Sequence, residues 1–598
     1  MPVSTPEISQ ESVADTCVAR GAMTLHLLRG LPSDSNFRDE WNSLVESMES
    51  PQIFYTWEWA RAMCLAYGTQ NFLLLTAYRA DRLVGVVALI KNCAGEVSFL
   101  TAATAEYCDF VSTSEDRKEF VHLASARLRG EGMNAFQFAN LPENSFILAA
   151  IKSAMLHAGC HIYSRPAYRC ARIQLGSQAV RVEAEKSARR RKSKSPKAFR
   201  SAEVVHGASW RAWAASFDDF AAAHVGRFLS EGKISNLACT ERREFLRMLG
   251  ELLEAKSWLG ASMIKVNGKP VSWHFGMRFA GTWFWYQPAF DCDWLHAGPG
   301  TYLLNDLIQL ASKDAACHTI DLGLGDEGYK QRYVTSVQRT LHVYAHRSVV
   351  QVAKAIFRYR TAAFLKRCPQ LDQAARKFAR HISSDVEKRG KVEASRALKP
   401  LDQLLRTREE IIAFQWQRRE TKIPDQQSSD YKVQSLSLKL LALAAIKHEK
   451  DAPTIAYLLQ CAAWLKSVNK EGLVLLDSEG TPVHFCWTTR AVNIHLREFA
   501  RIKALRPDSI FISGSLTPNF YRENHLQFLV IISEQISASG REPWILAATR
   551  DLDFTSDLKR AGFVARFTIP RRSRFRFTYA WKRTTVQPEP LMDFDTAA

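Results

Sequence analysis

The chain has 598 residues, with 80 Lys and Arg against 61 Asp and Glu, which gives a formal net charge of +19. At about 150 residues per domain, this length predicts three or four units, and 46% hydrophobic residues is the composition of an ordinary globular protein with large cores. The positive charge favours anionic partners such as coenzyme A, nucleotide-linked substrates, nucleic acid or an acidic membrane surface.

Simple patterns in the sequence argue against a disulfide-rich, metal-binding, secreted or membrane-spanning protein. The 12 cysteines occur without any CxxC pair, so we expect reduced thiols, no disulfide framework and no metal site. The amino terminus lacks the basic and apolar regions of a signal peptide, and no stretch approaches about 18 uninterrupted apolar residues. The sequence therefore predicts a cytoplasmic protein without a membrane span.

Residues 1–22 are polar and are predicted to be disordered. The first unit, 23–180, begins with helical spacing at Trp57–Tyr67 and continues with two apolar strands around a turn at Arg79–Arg82. The motif EYCDF follows at Glu106–Phe110. We predict an α/β unit in which a mostly antiparallel sheet is flanked by helices.

Between the first two units lies the basic stretch KSARRRKSKSPKAFR, Lys186–Arg200. It is consistent with a solvated basic helix and a turn, or with a clamp for a phosphorylated ligand. A nucleic-acid arm is disfavoured, because aromatic residues are not interleaved with the charges and no nucleic-acid-binding signature accompanies them.

The second unit, 181–347, contains a strong hairpin signal at Asn267-Gly268. Further on, Gly298 and Gly300 bracket the start of an amphipathic helix. A glycine-rich loop between a strand and a helix suits a phosphate or pyrophosphate, because free backbone N–H groups and the positive end of the helix dipole meet there. A plain turn with Pro at the first helical position gives the same pattern.

The motifs AAHVGRF, GPGTYLLNDLI and IDLGLGDEGYKQRY, within His224–Tyr333 and just before it, resemble the CelD/BcsL-type acetyltransferases of the GNAT superfamily. With YTWEWARA and EYCDF, the resemblance covers roughly residues 25–347. The first 350 residues also resemble the FemAB-like transferases in outline. The resemblance implies tandem GNAT lobes with the second one catalytic, a first lobe with a degenerate coenzyme loop, and acetyl-CoA or another acyl-CoA as co-substrate.

The strand–turn–strand pattern occurs three times, near Asp81, Gly268 and Glu479, which predicts three copies of one unit. We expect a helical linker at 348–420, a third GNAT-like domain at 421–585 and a disordered tail at 586–598. In the third domain the expected coenzyme loop reads Tyr521–His525, without glycine and with Glu523. Both features oppose close approach of a pyrophosphate, so this lobe is predicted to be degenerate.

Acyl transfer from a thioester needs a positioned carbonyl, a base and a proton donor for the thiolate. In the predicted arrangement Tyr286 and Gln287 lie near the thioester. The coenzyme phosphates are assigned to the backbone amides of Gly298, Gly300, Thr301 and Tyr302.

The candidate base is His224, which matches a family histidine and precedes Arg227, a candidate substrate-binding residue. A helix histidine that orders the lobe interface is the alternative. In the closing motif, Glu327 could take a proton, Tyr329 could protonate the thiolate, and Lys330 could bind acceptor or phosphate; a capping and ion-pair cluster is the alternative. From the first lobe, Tyr107 and Asp109 match the family's aromatic-Asp pattern and are predicted to line the acceptor cleft.

These features predict an acyl-CoA-dependent N- or O-acyltransferase that acts on a sugar, a polysaccharide precursor or an amino group. The resemblance implies a role in exopolysaccharide or cellulose synthesis, with assembly proteins as partners. Two alternatives stay open: a FemAB-like transferase that uses aminoacyl-tRNA, and a non-catalytic module of an exopolysaccharide assembly.

Overall fold

The computed structural model describes residues 21–92, 94–176, 199, 201–325, 328–367, 410–417, 431–466, 471–491, 505–506, 508–516 and 524–569. Both predicted disordered ends lie outside this set except for residues 21 and 22, and so does the basic stretch except for Phe199. Among the helices within these ranges, none is long and apolar enough to cross a bilayer.

The first two lobes share one sheet of 13 strands, in the order β1-β2-β3-β4-β6-β13-β7-β12-β11-β10-β9-β8, with β5 beside β3. The strands are β1 Thr24–Leu28, β2 Phe72–Arg79, β3 Arg82–Lys91, β4 Glu96–Phe99, β5 Val111–Ser112, β6 Ala135–Pro142, β7 His161–Gln174, β8 Ala202–His206, β9 Ser262–Val266, β10 Lys269–Phe279, β11 Thr282–Phe290, β12 Thr319–Leu324 and β13 Ser336–His346.

Helices cover this sheet and close its cores. They are α1 Ser35–Glu46, α2 Trp57–Tyr67, α3 Arg117–Gly130, α4 Leu148–His157, α5 Trp210–Ala214, α6 Phe217–Ser230, α7 Thr240–Ala255, α8 Pro299–Ala311 and α9 Val349–Arg367. The helix predicted at Trp57–Tyr67 is confirmed. It forms because Trp57, Trp59, Ala60, Met63 and Cys64 recur at helical spacing and are buried.

The two lobes are joined by exchanged strands. Strand β13 is the last strand of the second lobe but also pairs with β6 of the first lobe along Ala135–Pro142. Strand β7 pairs with β13 over most of its length, and its last residues pair with β12 of the second lobe. The two lobes therefore cannot separate without breaking a continuous ladder of backbone hydrogen bonds.

The three predicted hairpins are confirmed as β2-β3, β9-β10 and β16-β17. In the second of them Asn267 has φ of 51° and Gly268 has φ of 76°. Positive φ at both central residues is the geometry that Asn-Gly favours, which explains why this turn could be read from sequence.

The third unit has a sheet of seven strands in the order β15-β16-β17-β18-β19-β14-β20. Its elements are β14 Ile411–Trp416, β15 Lys432–Ser435, α10 Leu438–Lys447, α11 Ala452–Trp464, β16 Glu471–Leu476, β17 Pro482–Arg490, β18 Ile510–Leu516, α12 His525–Ala538, β19 Pro543–Ala548, α13 Leu552–Arg560 and β20 Phe563–Ile569. The predicted α/β class, with mixed and mostly antiparallel sheets flanked by helices, is confirmed in both sheets.

Strand β14 corrects one predicted boundary, because it lies inside the stretch 348–420 that was predicted to be a helical linker. It pairs with both β19 and β20, since its apolar residues complete the core of the third sheet. Its place matches that of β7 in the second lobe, where a strand from upstream also lies between the last two strands. The third unit therefore has the strand order of the second lobe.

The third unit packs against the second lobe through helix α10 on helix α6. A Cβ on Gly226 of α6 would lie 3.3 Å from the carbonyl oxygen of Leu438, so a side chain there would displace the neighbouring backbone by a few tenths of an ångström. Across the same interface, Lys439 pairs with Asp219 at 2.8 Å, and Glu449 accepts hydrogen bonds from the backbone and hydroxyl of Thr240.

Candidate active site

A cleft of about 570 Å³ opens where β11 and β12 diverge. The two parallel strands pair only from Thr282 to Phe284 on β11 and from Thr319 to Asp321 on β12. Beyond this point Trp285–Pro288 and the end of β12 line opposite walls of the cleft. An unpaired strand edge offers N–H and C=O groups to an extended ligand that contains amides.

The first lobe supplies one wall of the cleft, the loop Ala102–Glu106. Three side chains hold this loop. Tyr286 donates its hydroxyl hydrogen to the carbonyl of Thr104, Trp59 donates to the Thr104 hydroxyl at 3.0 Å, and Asn140 donates to the carbonyl of Ala105 at 2.9 Å. The loop is thereby fixed relative to both lobes.

His342, on the shared strand β13, supports the same loop. Its Nδ1 lies 2.9 Å from Nη2 of Arg165, which can only donate, so Nδ1 accepts and Nε2 carries the hydrogen. Nε2 then donates to the side-chain oxygen of Asn140 at 3.3 Å. Burial, followed by the charge of Arg165, lowers the pKa of His342 to about 4, so the ring is neutral near pH 7.

Glu106 brings a carboxylate into the cleft from this loop. It is 7% exposed, accepts a hydrogen bond from the backbone N–H of Leu324 at 3.4 Å, and is the one carboxylate among the described cleft residues. A Cβ on Gly323 would lie 2.1 Å from its Oε1. Only glycine at that position, with φ of 74°, leaves room for the carboxylate.

Behind the cleft, Asp321 forms a fully satisfied buried cluster. Its Oδ2 accepts hydrogen bonds from the hydroxyl of Tyr107 and from Nε of Arg172, both at 2.8 Å, and its Oδ1 accepts from the N–H of Gly323 at 2.9 Å. Burial raises the pKa of Tyr107 well above its usual range, and so does the charge of Asp321. The cluster ties the first lobe to β7 and β12.

Neither Tyr107 nor Asp109 lies among the residues that line the cleft. Tyr107 is completely buried in the Asp321 cluster. The carboxylate of Asp109 accepts hydrogen bonds from Ser145 at 2.6 Å and from the backbone of Phe110 at 3.0 Å, and burial raises its pKa to about 7. The EYCDF motif reaches the cleft through its first residue, Glu106.

His224 lies on helix α6 and lines the cleft while only 4% exposed. Its Nδ1 is 2.8 Å from the hydroxyl of Ser235, and its ring stacks on Phe228 at 4.8 Å. Burial, followed by the charges of Arg227 and Arg242, lowers its pKa to about 3. The imidazole is therefore neutral at physiological pH.

Two arginines reach the cleft from helices α6 and α7. Arg242 is 3% exposed and donates from Nη2 to the hydroxyl of Tyr286 at 2.6 Å, while its Nε and Nη1 have no hydrogen-bond partner among the described residues. Arg227 stacks over Phe228 at 5.0 Å, and its Nε is also without a partner in the described part of the chain. Burial raises the pKa of Tyr286 to about 12 against the opposing charge of Arg242.

Tyr329 and Lys330 line the cleft just after β12. Lys330 is 4% exposed and donates from Nζ to the carbonyl of Leu324 at 2.9 Å, while Tyr329 is half-buried against the second-lobe core. Glu327 lies outside the described residues. The structure thus brings His224, Arg227, Tyr286, Gln287, Tyr329 and Lys330 to one cleft.

The predicted phosphate loop forms the start of helix α8, at the end of β11. Gly298 adopts φ of 63° and caps the helix, and Pro299 is its first residue. The N–H groups of Gly298 and Tyr302 bond to Leu295 and Gly298, so they are used within the chain. Those of Gly300 and Thr301 make no hydrogen bond with described residues, which leaves two donors for a ligand at this helix end.

Sequence reasoning overlooked Glu106 and Arg242. Arg242 occupies a position of the apolar stripe of α7, together with Phe245, Leu246, Leu249 and Leu253. A charged residue in such a stripe is a signal that could have identified it, because burying an unpaired charge is costly unless it has a role.

Residues 186–331 match the family model described as acetyltransferase (GNAT) domain. The matched segment includes β11, α8 and β12 of the second lobe. Among curated proteins none matches the chain.

Solved structures resemble this chain at low similarity. The C-terminal domain of a putative lysylphosphatidylglycerol synthetase from Agrobacterium fabrum has a TM-score of 0.36 and 12% identity, covering 54% of this chain and 95% of that one. FemX has a TM-score of 0.38 and 10% identity, covering 53% and 98%. A tandem GNAT protein from the clavulanic acid biosynthesis pathway has a TM-score of 0.33 and 10% identity, covering 54% and 98%. Likenesses this low carry no conclusion about the activity of this chain.

Proposed function

We propose that this protein is an N- or O-acyltransferase that takes the acyl group of an acyl-CoA, such as acetyl-CoA, and transfers it to an acceptor in the cleft between its first two lobes. One observation carries the proposal. Within the segment that matches the GNAT family model, β11 and β12 separate into an open cleft, and the helix that connects them begins with two backbone amides that bond to none of the described residues.

The proposed donor side fits this part of the chain. The N–H groups of Gly300 and Thr301, at the positive end of α8, suit a phosphate of the coenzyme. A Cβ on Gly300 would meet only Phe290, at 3.4 Å, so the helix end is uncrowded. The free edge of β11 from Trp285 to Pro288, which includes Gln287, offers backbone partners for the amide groups of the pantetheine arm.

In the proposed transfer, the acceptor amine or hydroxyl attacks the thioester carbonyl and gives up its proton, and the coenzyme leaves as a thiol after protonation. We assign proton acceptance to Glu106, the one carboxylate among the described residues that line the cleft, and a positioning hydrogen bond to His224, because burial disfavours its protonated form. Tyr329 is the proposed proton donor to the thiolate, and Lys330 the proposed contact for the carbonyl or acceptor. Glu327 stays a predicted participant that lies outside the described residues.

The acceptor side of the proposal is a sugar, a polysaccharide precursor or another amine-bearing compound. It is supported by the resemblance of the motifs around His224 and Gly300 to the CelD/BcsL-type acetyltransferases of exopolysaccharide and cellulose synthesis. Proteins of such an assembly are the proposed partners.

The test is calorimetric titration of the full chain with acetyl-CoA, repeated on Gly300→Glu. We expect binding by the native protein and its loss in the variant, because a carboxylate and a side chain would occupy the phosphate position. The matched control is Gly130→Glu, at the end of α3, where a Cβ meets nothing within 4 Å. Equal affinity in Gly300→Glu would remove the phosphate assignment.

Absence of acetyl-CoA binding to the native protein would contradict the proposed function itself. The two remaining classes then separate by a filter-binding assay with aminoacyl-tRNA. Binding would favour a FemAB-like transferase, and no binding would favour a non-catalytic module.

A further inference from the structure

Positively charged side chains outnumber carboxylates among the described residues that line the cleft. Arg227, Arg242 and Lys330 line it, against one carboxylate, Glu106, among the described residues. Neither Arg227 nor Arg242 has a carboxylate within ion-pairing distance in the part of the chain that the structure describes. Both line the cleft with His224, and their charges help to lower the pKa of that histidine.

Of the two arginines, Arg242 gives the stronger evidence for a bound anion. It is 97% buried and lines the cleft, and its Nε and Nη1 have no hydrogen-bond partner among the described residues, although the hydroxyl of Tyr67 lies beside its guanidinium. A buried guanidinium with unused donors is costly, and it is retained where a ligand supplies the missing acceptor. Guanidinium groups match phosphate and carboxylate oxygens best, because their donors form a planar fork.

The position of these arginines separates them from the proposed phosphate site of the coenzyme. They come from α6 and α7, whereas the free amides of Gly300 and Thr301 begin α8, and none of Gly298–Tyr302 lines the cleft. The first-lobe loop Ala102–Glu106 lines the same cleft, and Arg242 is linked to it, because the hydroxyl of Tyr286 accepts from Arg242 and donates to the carbonyl of Thr104.

We propose that the cleft binds an acceptor that carries an anionic group, a phosphate or a carboxylate, held by Arg227 and Arg242 next to the amine or hydroxyl that receives the acyl group. This inference rests on the proposed acyltransferase function and narrows its substrate class from sugars in general to phosphorylated or acidic ones. Glu106, which lines the same cleft, is assigned to the accepting group and not to the anion.

The test uses glucose 6-phosphate and glucuronate as probes, with glucose as the neutral control. Each is titrated calorimetrically into the full chain, with and without saturating acetyl-CoA. We expect at least one anionic probe to bind, glucose not to bind, and the bound probe to persist when acetyl-CoA is present. Added salt should weaken binding, because the attraction is between charges.

Arg242→Met and Arg227→Met should each weaken probe binding by at least about tenfold while leaving the affinity for acetyl-CoA unchanged. The matched control is Arg247→Met, which removes the same charge from α7 at an exposed pair with Asp218. If Arg242→Met does not fold, Arg227→Met still tests the inference, because the side chain of Arg227 is partly exposed and has no ion pair among described residues.

Three results would overturn the inference. In the first, the anionic probes and glucose have the same affinity. In the second, the variants bind the probe as tightly as the native protein does. In the third, acetyl-CoA displaces the probe and binds less tightly to both variants, which would show that the arginines bind the coenzyme phosphates. Because acetyl-CoA binding is measured separately, failure of this inference is distinguishable from failure of the proposed function.

Discussion

Buried histidines couple the stability of the first two lobes to pH. His274 is completely buried, its Nε2 lies 3.2 Å from the carbonyl of Phe284, and its ring stacks on Trp285 at 4.0 Å. Burial lowers its pKa to about 3. Between pH 6.5 and that value the unfolded chain binds a proton that the folded chain does not, so stability falls as the pH falls, by up to about 1.4 kcal/mol per pH unit.

We therefore predict that the thermal unfolding midpoint of the native protein declines steadily from pH 6.5 to pH 4, and that it declines less in His274→Gln. The exposed His157 offers the matched control, since His157→Gln should leave the slope as it is. An unchanged slope in His274→Gln would show that this histidine does not contribute to the acid sensitivity.

The roles of Glu106 and His224 can be separated kinetically. Glu106→Gln keeps the shape of the side chain but cannot take a proton, so we expect kcat to fall by about 10²- to 10⁴-fold with acetyl-CoA binding retained. His224→Asn should cost less than about tenfold, because a neutral hydrogen-bonding group is replaced by another. The measurement is thiol release with an accepted anionic sugar. If His224→Asn lowers kcat more than Glu106→Gln does, His224 is the base.

At the scale of elements, the shared strands β7 and β13 make the first two lobes one cooperative body. The cluster of Asp321 with Tyr107 and Arg172 lies where these strands meet β12 and the first lobe. Removing one member of a buried charge pair leaves the other without compensation, which typically costs about 3–5 kcal/mol. An exposed pair contributes at most about 1 kcal/mol.

Asp321→Ala is accordingly predicted to lower the free energy of unfolding by about 3–5 kcal/mol and to destabilise both lobes in the same transition. Asp314→Asn, which removes an exposed pair with Arg278 but keeps the side-chain oxygen that accepts from the N–H of Ala316, is the control and should cost under about 1 kcal/mol. Urea titration followed by tryptophan fluorescence measures both, since Trp59 lies in the first lobe and Trp285 in the second. Separate transitions for the two lobes would contradict the shared-strand argument.

Local elements could be predicted because their causes are local. The Asn267-Gly268 hairpin follows from two residues that tolerate positive φ, and α2 follows from its apolar spacing. The exchange of β13 into the first lobe could not be predicted, because Val343 pairs with Phe138 about 200 positions away and no local signal encodes that register. Strand β14 could not be predicted for the same reason, because its partners β19 and β20 lie more than 100 residues downstream.

The candidate site also combines residues that could be predicted from the sequence with residues that could not. The motif around Gly300 and the histidine before Arg227 were found because they occur as short patterns. Glu106 was quoted in a motif but passed over for Tyr107, since the alternation of buried and exposed positions in an irregular loop is not readable from sequence. Which residue of that motif enters the cleft depends on Asn140, held in the left-handed region with φ of 58°, and on the lobe interface.

At the scale of the whole molecule, the third unit supports a wall of the cleft. Helix α10 packs on α6, the helix that carries His224 and Arg227, and the close approach is made at Gly226. A larger residue at 226 would push α10 away or shift α6, because the nearest atoms belong to the backbone of Leu438 and cannot turn aside. The degenerate loop predicted in the third unit is compatible with such a supporting role.

Gly226→Leu tests this coupling. We expect weaker binding of the anionic probe and slower acyl transfer, by about tenfold or more as for other small displacements of positioning groups, with acetyl-CoA affinity kept because α8 lies elsewhere. Lys439→Ala is the control at the same interface, since it removes only an exposed ion pair with Asp219. Faster proteolysis between 367 and 471 would show that Gly226→Leu loosens the third unit. If such a variant still binds the probe and transfers acyl groups normally, the third unit does not position the cleft, and α6 is held by the second lobe alone.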